Sequence, residues 1–335
     1  MLRLTYSNRA EKNLTLMSEE IRRLQSLDPL ASIQIVVPHR QVELWIRQAL
    51  AQSFGIAAGL EVVQLKRFVM RLCDARAGDE PLRLIDSEVL LDQLLSLFFE
   101  EGALVSDESL SPLVRYLGDS RAANAITRRF QLAGNLARLF DEYALSRDFL
   151  ERWQRGDSVG FSQNTSREVE IWQAALWRLL RARLDEIGLS QACRYALIGE
   201  LPGLEGLALS KPTFLFGVSH MALAYHRLVD WLGRCSSCDL HVYALNPCAE
   251  LWEHLRTARE LRRIERRSDK GGAGDSCNLA GERGHPLLHA WGRAGRENIR
   301  VLNEVTDCDF EDAFDPEPEA APTSMLQRLQ ETCMS

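Results

Sequence analysis

Few residues in this chain have types and spacing suited to chemistry. Lys12 ends the stretch Ser7-Asn8-Arg9-Ala10-Glu11-Lys12, which follows a short apolar run at residues 2–6. A phosphate-cradling loop would set its lysine there, at the start of the helix after a first strand. Such a loop needs the pattern G-x-x-x-x-G-K-[ST]. Its glycines let backbone N–H groups reach phosphate, its lysine neutralises charge, and its hydroxyl holds Mg²⁺. Here the loop has no glycine, Asn13 replaces the hydroxyl residue, and Glu11 would repel phosphate. Lys12 reads as a solvated lysine at a helix N-terminus. ATP hydrolysis also needs an acidic residue at the end of a core strand. The candidate, Phe214-Leu215-Phe216-Gly217-Val218-Ser219-His220, has none. The glycines of Lys270-Gly271-Gly272-Ala273-Gly274 follow their lysine rather than precede it, and this stretch reads as a flexible loop. Cys235-x-x-Cys238-x-x-His241, with Cys248 beyond, offers zinc-type ligands. No second Cys-x-x-Cys accompanies it and His241 falls on a strand, so two ordinary cysteines at a helix end fit better. No lysine stands in a Glu-x-Lys nuclease pattern.

What remains is binding chemistry. Arginine and aromatic residues interleave at Arg115-Tyr116, Arg128-Arg129-Phe130, Arg138 through Phe140 to Tyr143, and Arg152-Trp153. Phosphate contact combined with base stacking is how single strands are held. The competing reading puts the aromatics in a core and the arginines on a solvated face, and periodicity alone favours it. Only four of the 40 basic residues are lysines, so the positive charge is nearly all guanidinium, suited to forking onto phosphate. Genome composition would explain that equally well. The net charge is −7, but residues 301–335 hold nine acidic side chains against Arg328 alone. The body before them is near neutral and has room for a local basic groove. The eight cysteines, scattered through a long chain, read as reduced. No apolar run approaches the ~18 residues of a membrane helix. The first residues do not form a secretory signal. The expected location is cytoplasmic.

The elements that must position these residues follow from periodicity. Residues 31–70 read strand, helix, strand: an apolar run at 33–37 closed by Pro38, a helix with Val42, Trp45, Ile46 and Leu50 on one side, and a second run at 60–63. With a strand at 2–6 and a helix at 12–27, residues 1–78 form the first half of a parallel α/β domain. Residues 79–210 are almost wholly helical, with no convincing strand. Strands return at 213–218 and 240–245, so residues 211–305 complete the α/β domain. Residues 306–335 read as an acidic linker leading into a truncated next domain. The fold class is α/β: a helicase-like, degenerate nucleotide-binding sheet with a large helical insertion.

Several blocks in order carry a family resemblance. They are residues 2–17 (LRLTYSNRAEKNLTLM), Leu44-Trp45 through Ala58, Leu139-Phe140-Asp141-Glu142-Tyr143, Trp172 through Trp177, Phe216-Gly217-Val218-Ser219, Asn246-Pro247-Cys248, and Pro286 through Arg293. Together they resemble the N-terminal part of the RecC subunits of RecBCD enzymes, the exodeoxyribonuclease V gamma chains. The resemblance implies a helicase-like subunit that has lost its nucleotide site, in agreement with the two absences above. It implies no cofactor in this chain, with ATP and Mg²⁺ used by the partner subunits. Those partners are a helicase–nuclease subunit and a second helicase subunit of a heterotrimer, with single- and double-stranded DNA ends as substrate and no membrane. The subunit would be a non-catalytic, DNA-binding scaffold for double-strand-break repair that channels single strands and, in some relatives, scans for a hotspot sequence. By similarity the DNA contacts are Pro38, Arg40, Gln41, Leu44, Gln64, Arg138, Asp141 and Arg147. Asp141 and Arg147 match family positions, whereas Pro38, Arg40, Leu44, Gln64 and Met70 depart from the enterobacterial pattern. The family's members are longer, so this chain is expected to lack the duplex-splitting pin and the nuclease-like C-terminal domain. Two other readings stay open: a divergent active ATPase, and a truncated subunit that binds partner subunits only.

Overall fold

Four apolar runs, LRLTYS, IQIVV, TFLF and LHVYAL, are buried along most of their length, as strands covered on both faces of a parallel sheet must be. They are β1 (Leu2–Ser7), β2 (Ile33–Val37), β6 (Thr213–Phe216) and β7 (Leu240–Leu245). With β3 (Leu60–Gln64) and β8 (Asp309–Asp312) they make a six-stranded sheet in the order β3-β2-β6-β7-β1-β8. Every strand pair in it is parallel. The computed structural model describes residues 2–55, 58–74, 82–100, 102–119, 122, 124–146, 148–160, 164–190, 194–196, 209–235, 238–246, 292–304 and 308–314.

The chain divides into two compact units. The first comprises Met1–Phe68, Ala208–Met221 and Leu232–Ser335 and contains the six-stranded sheet. Helix α1 (Ala10–Leu27) buries Met17 and Ile21, and α2 (Arg40–Phe54) buries Ile46 and Leu50. These four side chains share a core with Ile33, Ile35, Val37, Phe214, Phe216 and Tyr243. Spacings of three and four residues along α1 and α2 turn one stripe of each helix onto the sheet. The entry to β3 needs a glycine: Gly59 has φ +71°, and a Cβ there would stand 3.1 Å from the Ala31 carbonyl oxygen. Helix α10 (Arg293–Asn303) buries Ile299 and Leu302.

The second unit comprises Val69–Leu207 and Ala222–Trp231. Its main helices are α4 (Ser87–Phe99), α5 (Ser111–Leu117), α6 (Ala125–Ser146), α7 (Phe149–Arg155) and α8 (Asn164–Ser190). Two of the four boundaries between the units fall within helices, α3 (Leu65–Asp74) and α9 (Leu223–Arg234). Asp86 caps α4 by accepting from the Glu88 and Val89 N–H groups. Gly156, at φ +84°, closes α7 with its N–H on the carbonyls of Arg152 and Trp153. The core is built around Phe140, Trp153 and Trp177 with leucines from α4 and α8. Phe140 and Trp177 meet edge to face at 5.5 Å.

Two features depart from the sequence pattern. The helical stretch does contain strands: β4 (Leu82–Leu84) and β5 (Arg194–Ala196) pair in parallel as a separate two-stranded sheet. And the acidic stretch after residue 305, read as a linker, supplies β8 on the outer edge of β1. The glycine-rich loop after Lys270 lies outside the described residues, and no described helix is long and apolar enough to cross a membrane.

Candidate nucleic-acid interface

In open parallel sheets ligands bind beyond the carboxyl ends of the strands. The residues that follow β1, β2, β3, β6 and β7 therefore define the first place to look. The connection from β1 to α1 is only two residues, Asn8 and Arg9. Lys12 is the third residue of α1 and half-buried. Behind it Asn13 is buried, and its Nδ2 donates to the Ala244 carbonyl at 3.1 Å. The Asn246 N–H donates to the Ser7 carbonyl at 2.9 Å, tying the ends of β7 and β1 together. A cavity of about 300 Å³ lies here, lined mainly by Asn13, Val42, Trp45, Phe216, Gly217 and Leu245. Its walls are mostly apolar, and Trp45 packs on Phe216 with ring centroids 6.0 Å apart. A phosphate needs converging N–H groups and a cation, and this wall offers rings and aliphatic carbon instead.

The β2–α2 connection gathers most of the residues picked out by resemblance. Pro38 is half-buried, while Arg40, Gln41 and Leu44 are exposed. Gln64 joins them because β3 is in register with β2: Val37 faces Gln64 across the ladder, setting Gln64 beside Pro38. Arg40 is the first residue of α2, and the preceding His39 makes no side-chain capping bond. Cations are disfavoured at the positive end of a helix dipole. Glu43 offsets the charge within the first turn, but Arg47 already bonds its carboxylate at 3.2 Å. The N-terminus of α2 is thus electropositive, solvent-facing and flanked by the exposed Leu44 and Trp45.

In the helical unit Arg138 and Asp141 lie three residues apart on α6. Arg138 is exposed and donates to Asn135 Oδ1 at 2.6 Å and to the Gly134 carbonyl at 3.3 Å. It lines an open groove of about 470 Å³ with Phe130, Gln131, Leu91 and Glu88. Asp141 is half-buried; its charge acts on Tyr225, whose phenol is pushed up first by burial and then by that carboxylate. Arg147 lies outside the described residues. The arginine–aromatic pattern divides by position. Phe140 and Trp153 are core, Tyr143 is half-buried, and Tyr116 and Phe130 are exposed. Arg129 is buried rather than solvated, its guanidinium bonded to the carbonyls of Phe98, Ala125 and Gly118.

Of the zinc-type ligands, Cys235, Cys238 and His241 fall within the described residues. Among the described residues no group of three or more His, Cys, Asp or Glu could hold a metal. His241 stacks on Phe214 at 4.7 Å and bonds Asp239 Oδ1 at 3.2 Å. Cys238 Sγ accepts from the Leu209 N–H, and burial followed by the neighbouring Cys238 pushes the Cys235 thiol up. Cys248 lies outside the described residues.

Together these features define an α/β protein built on a six-stranded parallel sheet. The model of the family "RecC, N-terminal domain" matches residues 2–335, and the chain belongs to that family. It is 27% identical to the RecBCD enzyme subunit RecC of Escherichia coli over 354 aligned positions, covering 98% of this chain and 30% of that protein. It is 24% identical to RecC of Haemophilus influenzae, over 89% of this chain and 30% of that one. It is 27% identical to RecC of Mycolicibacterium smegmatis, over 84% of this chain and 24% of that one. The chain thus spans 30% or less of the length of these relatives.

Proposed function

We propose that this chain is the N-terminal, DNA-handling part of a RecC-type subunit in a cytoplasmic helicase–nuclease that processes double-strand breaks for recombinational repair. It acts as a scaffold that channels single strands, not as a motor. The sheet unit is a helicase-like domain retained for its shape, and the helical unit is its insertion. ATP and Mg²⁺ are the business of the two partner helicase subunits, which this chain holds against the DNA end. The observation that carries the reading is the two-residue β1–α1 connection. A phosphate loop wraps about eight residues around its ligand, and Asn8-Arg9 is too short to do so. The DNA contacts are Pro38, Arg40, Gln41, Leu44 and Gln64 on one unit, and Arg138, Asp141 and Arg147 on the other. The electropositive N-terminus of α2 supports phosphate contact there. Scanning for a hotspot sequence falls to these same residues.

Two titrations on the purified chain test this. A ligand that binds the folded state but not the unfolded one raises the melting temperature, by a stabilisation that grows with the logarithm of its concentration above Kd. Millimolar Mg-ATP is expected to leave the melting temperature unchanged; a rise abolished by Lys12→Ala sinks the non-motor reading. Anisotropy with a labelled single strand is expected to show binding that weakens linearly in log salt, with a slope of about −0.7 per phosphate contacted. A salt-independent curve argues against phosphate contact, and no binding at any salt points instead to a subunit that meets only proteins.

A further inference from the structure

Two adjacent arginines of α6, Arg128 and Arg129, bond only neutral acceptors, as Arg138 further along the same helix does. Arg3, Arg23, Arg47, Arg183 and Arg227 each hold a carboxylate. Arg129 does not: its Nε donates to the Phe98 carbonyl at 3.0 Å, Nη1 to Ala125 at 3.4 Å and Nη2 to Gly118 at 3.3 Å. Arg128 donates from Nη1 to the Tyr116 carbonyl at 3.1 Å and from Nη2 to Asn124 Oδ1 at 3.2 Å. Every one of these acceptors is neutral, and among the described residues no carboxylate pairs with either guanidinium. Arg129 is only 5% exposed. Its guanidinium is satisfied inside the fold, on carbonyls at the C-terminal ends of α4 and α5 where a cation is favoured, and it backs the ring of Phe99 rather than facing solvent.

The same two guanidinium groups lie on aromatic rings. The central carbon of Arg129 is 5.7 Å from the ring centre of Phe99, and that of Arg128 is 5.9 Å from the ring centre of Tyr116. Both rings are open, Phe99 at 52% and Tyr116 at 54% exposure. Glu100, next to Phe99, is already bonded by Arg183 at 2.5 Å. Ile126 and Phe130, one turn apart on α6, extend the exposed apolar surface.

We propose that Phe99, Tyr116, Arg128 and Arg129 form a stacking platform for unpaired bases of a single-stranded nucleic acid, with Arg128 as the phosphate contact. The proposal rests on the reading that DNA strands cross this chain, and it falls on residues outside the set assigned by resemblance. Open rings stack on bases of any sequence, and the half-buried Arg128 guanidinium, which no carboxylate among the described residues neutralises, attracts the backbone; both parts are needed to hold a single strand. A guanidinium against a ring draws electron density from it, which favours stacking on an electron-rich base. An acidic protein segment would use the charge but leave two ring faces unused.

The test uses the full chain, a labelled oligo-dT, an abasic strand of equal length and a duplex, read by anisotropy. Circular dichroism and melting check each variant, with Phe99→Leu in reserve if Phe99→Ala does not fold. Tyr116→Ala and Phe99→Ala are each expected to weaken oligo-dT binding roughly 5- to 100-fold while barely moving the abasic strand. Arg128→Gln is expected to reduce the salt slope by about 0.7. If wild type binds oligo-dT and both ring variants bind as tightly, the platform is wrong and the wider reading stands. If wild type binds no strand at any salt, both fall. Duplex binding as tight as oligo-dT, or displacement of the strand by polyglutamate at lower charge concentration than by unlabelled oligo-dT, also overturns the platform, the latter in favour of an acidic protein partner.

Discussion

At the scale of single residues, Glu20 shows how the sheet unit uses its charge. Its carboxylate takes Arg23 at 2.6 Å and Arg3 at 3.2 Å. The Arg23 hydrogen bond holds the Glu20 carboxyl below its ordinary range, against burial, which pushes it up. A carboxyl with a depressed folded pKa adds stability above its unfolded pKa and loses it as pH falls through the folded value. Asp239, held down first by its hydrogen bond to His241, acts in the same direction. Glu20→Gln should therefore lower the urea midpoint at neutral pH and have little effect near pH 2–3, where the wild-type carboxyl is protonated too. An equal loss at both pH values would show that the contact works by packing. The residue scale is also where the sequence was least legible. Arg129 and Phe130 are adjacent in an interleaved pattern, yet one side chain points into the helical core and the other to solvent. Alternation in sequence names the pair but not the face, and tertiary contacts with Phe98 and Gly118 decide it.

At the scale of elements, one buried carboxylate joins α7, the loop after it and α8. Glu170 accepts from Trp153 Nε1 and from Ser158 Oγ, each at 3.2 Å, and from the Val159 N–H. Arg178 donates to the Trp153 carbonyl at 3.3 Å on the same side. Glu170→Leu keeps the volume but strands an indole N–H and a backbone N–H, at about 1–3 kcal/mol each. Its melting temperature should fall by roughly 5–15 °C, with a smaller loss for Glu170→Gln, which keeps an acceptor. Differential scanning calorimetry reads both; an unchanged Glu170→Leu would mean that water replaces the carboxylate. Long periodic helices and apolar strands were visible in the sequence because burial repeats at 3.6 or covers a whole run. β4 and β5 were not, since each has three residues and its partner lies over a hundred positions away. The β2–α2 edge was legible as an element; the arrival of Gln64 beside Pro38 was not, because strand register is not written in either strand alone.

At the scale of the whole chain, charge asymmetry misled in an informative way. The last 35 residues are strongly acidic, which suggests a solvated linker. Yet Asp309–Asp312 pairs with β1, Arg3 against Asp309 and Tyr6 against Asp312. Phe310 packs edge to face on Tyr6 at 5.1 Å, and the Ala313 N–H donates to the Tyr6 carbonyl at 2.8 Å. Acidic side chains on the outermost strand discourage pairing with another molecule, so the composition that hides the strand also suits it to an edge. Without β8, the edge becomes β1, whose Leu2, Leu4 and Tyr6 are apolar and whose backbone groups would be unpaired. A chain ending at residue 308 should thus melt below one ending at residue 314. Three or so ladder hydrogen bonds at about 1 kcal/mol each and one aromatic contact at about 1 kcal/mol correspond to several degrees or more. The shorter chain should also scatter light at concentrations where the longer one stays clear, because its exposed edge is no longer charged. Equal melting and equal scattering of the two chains would return residues 309–312 to the role of a linker.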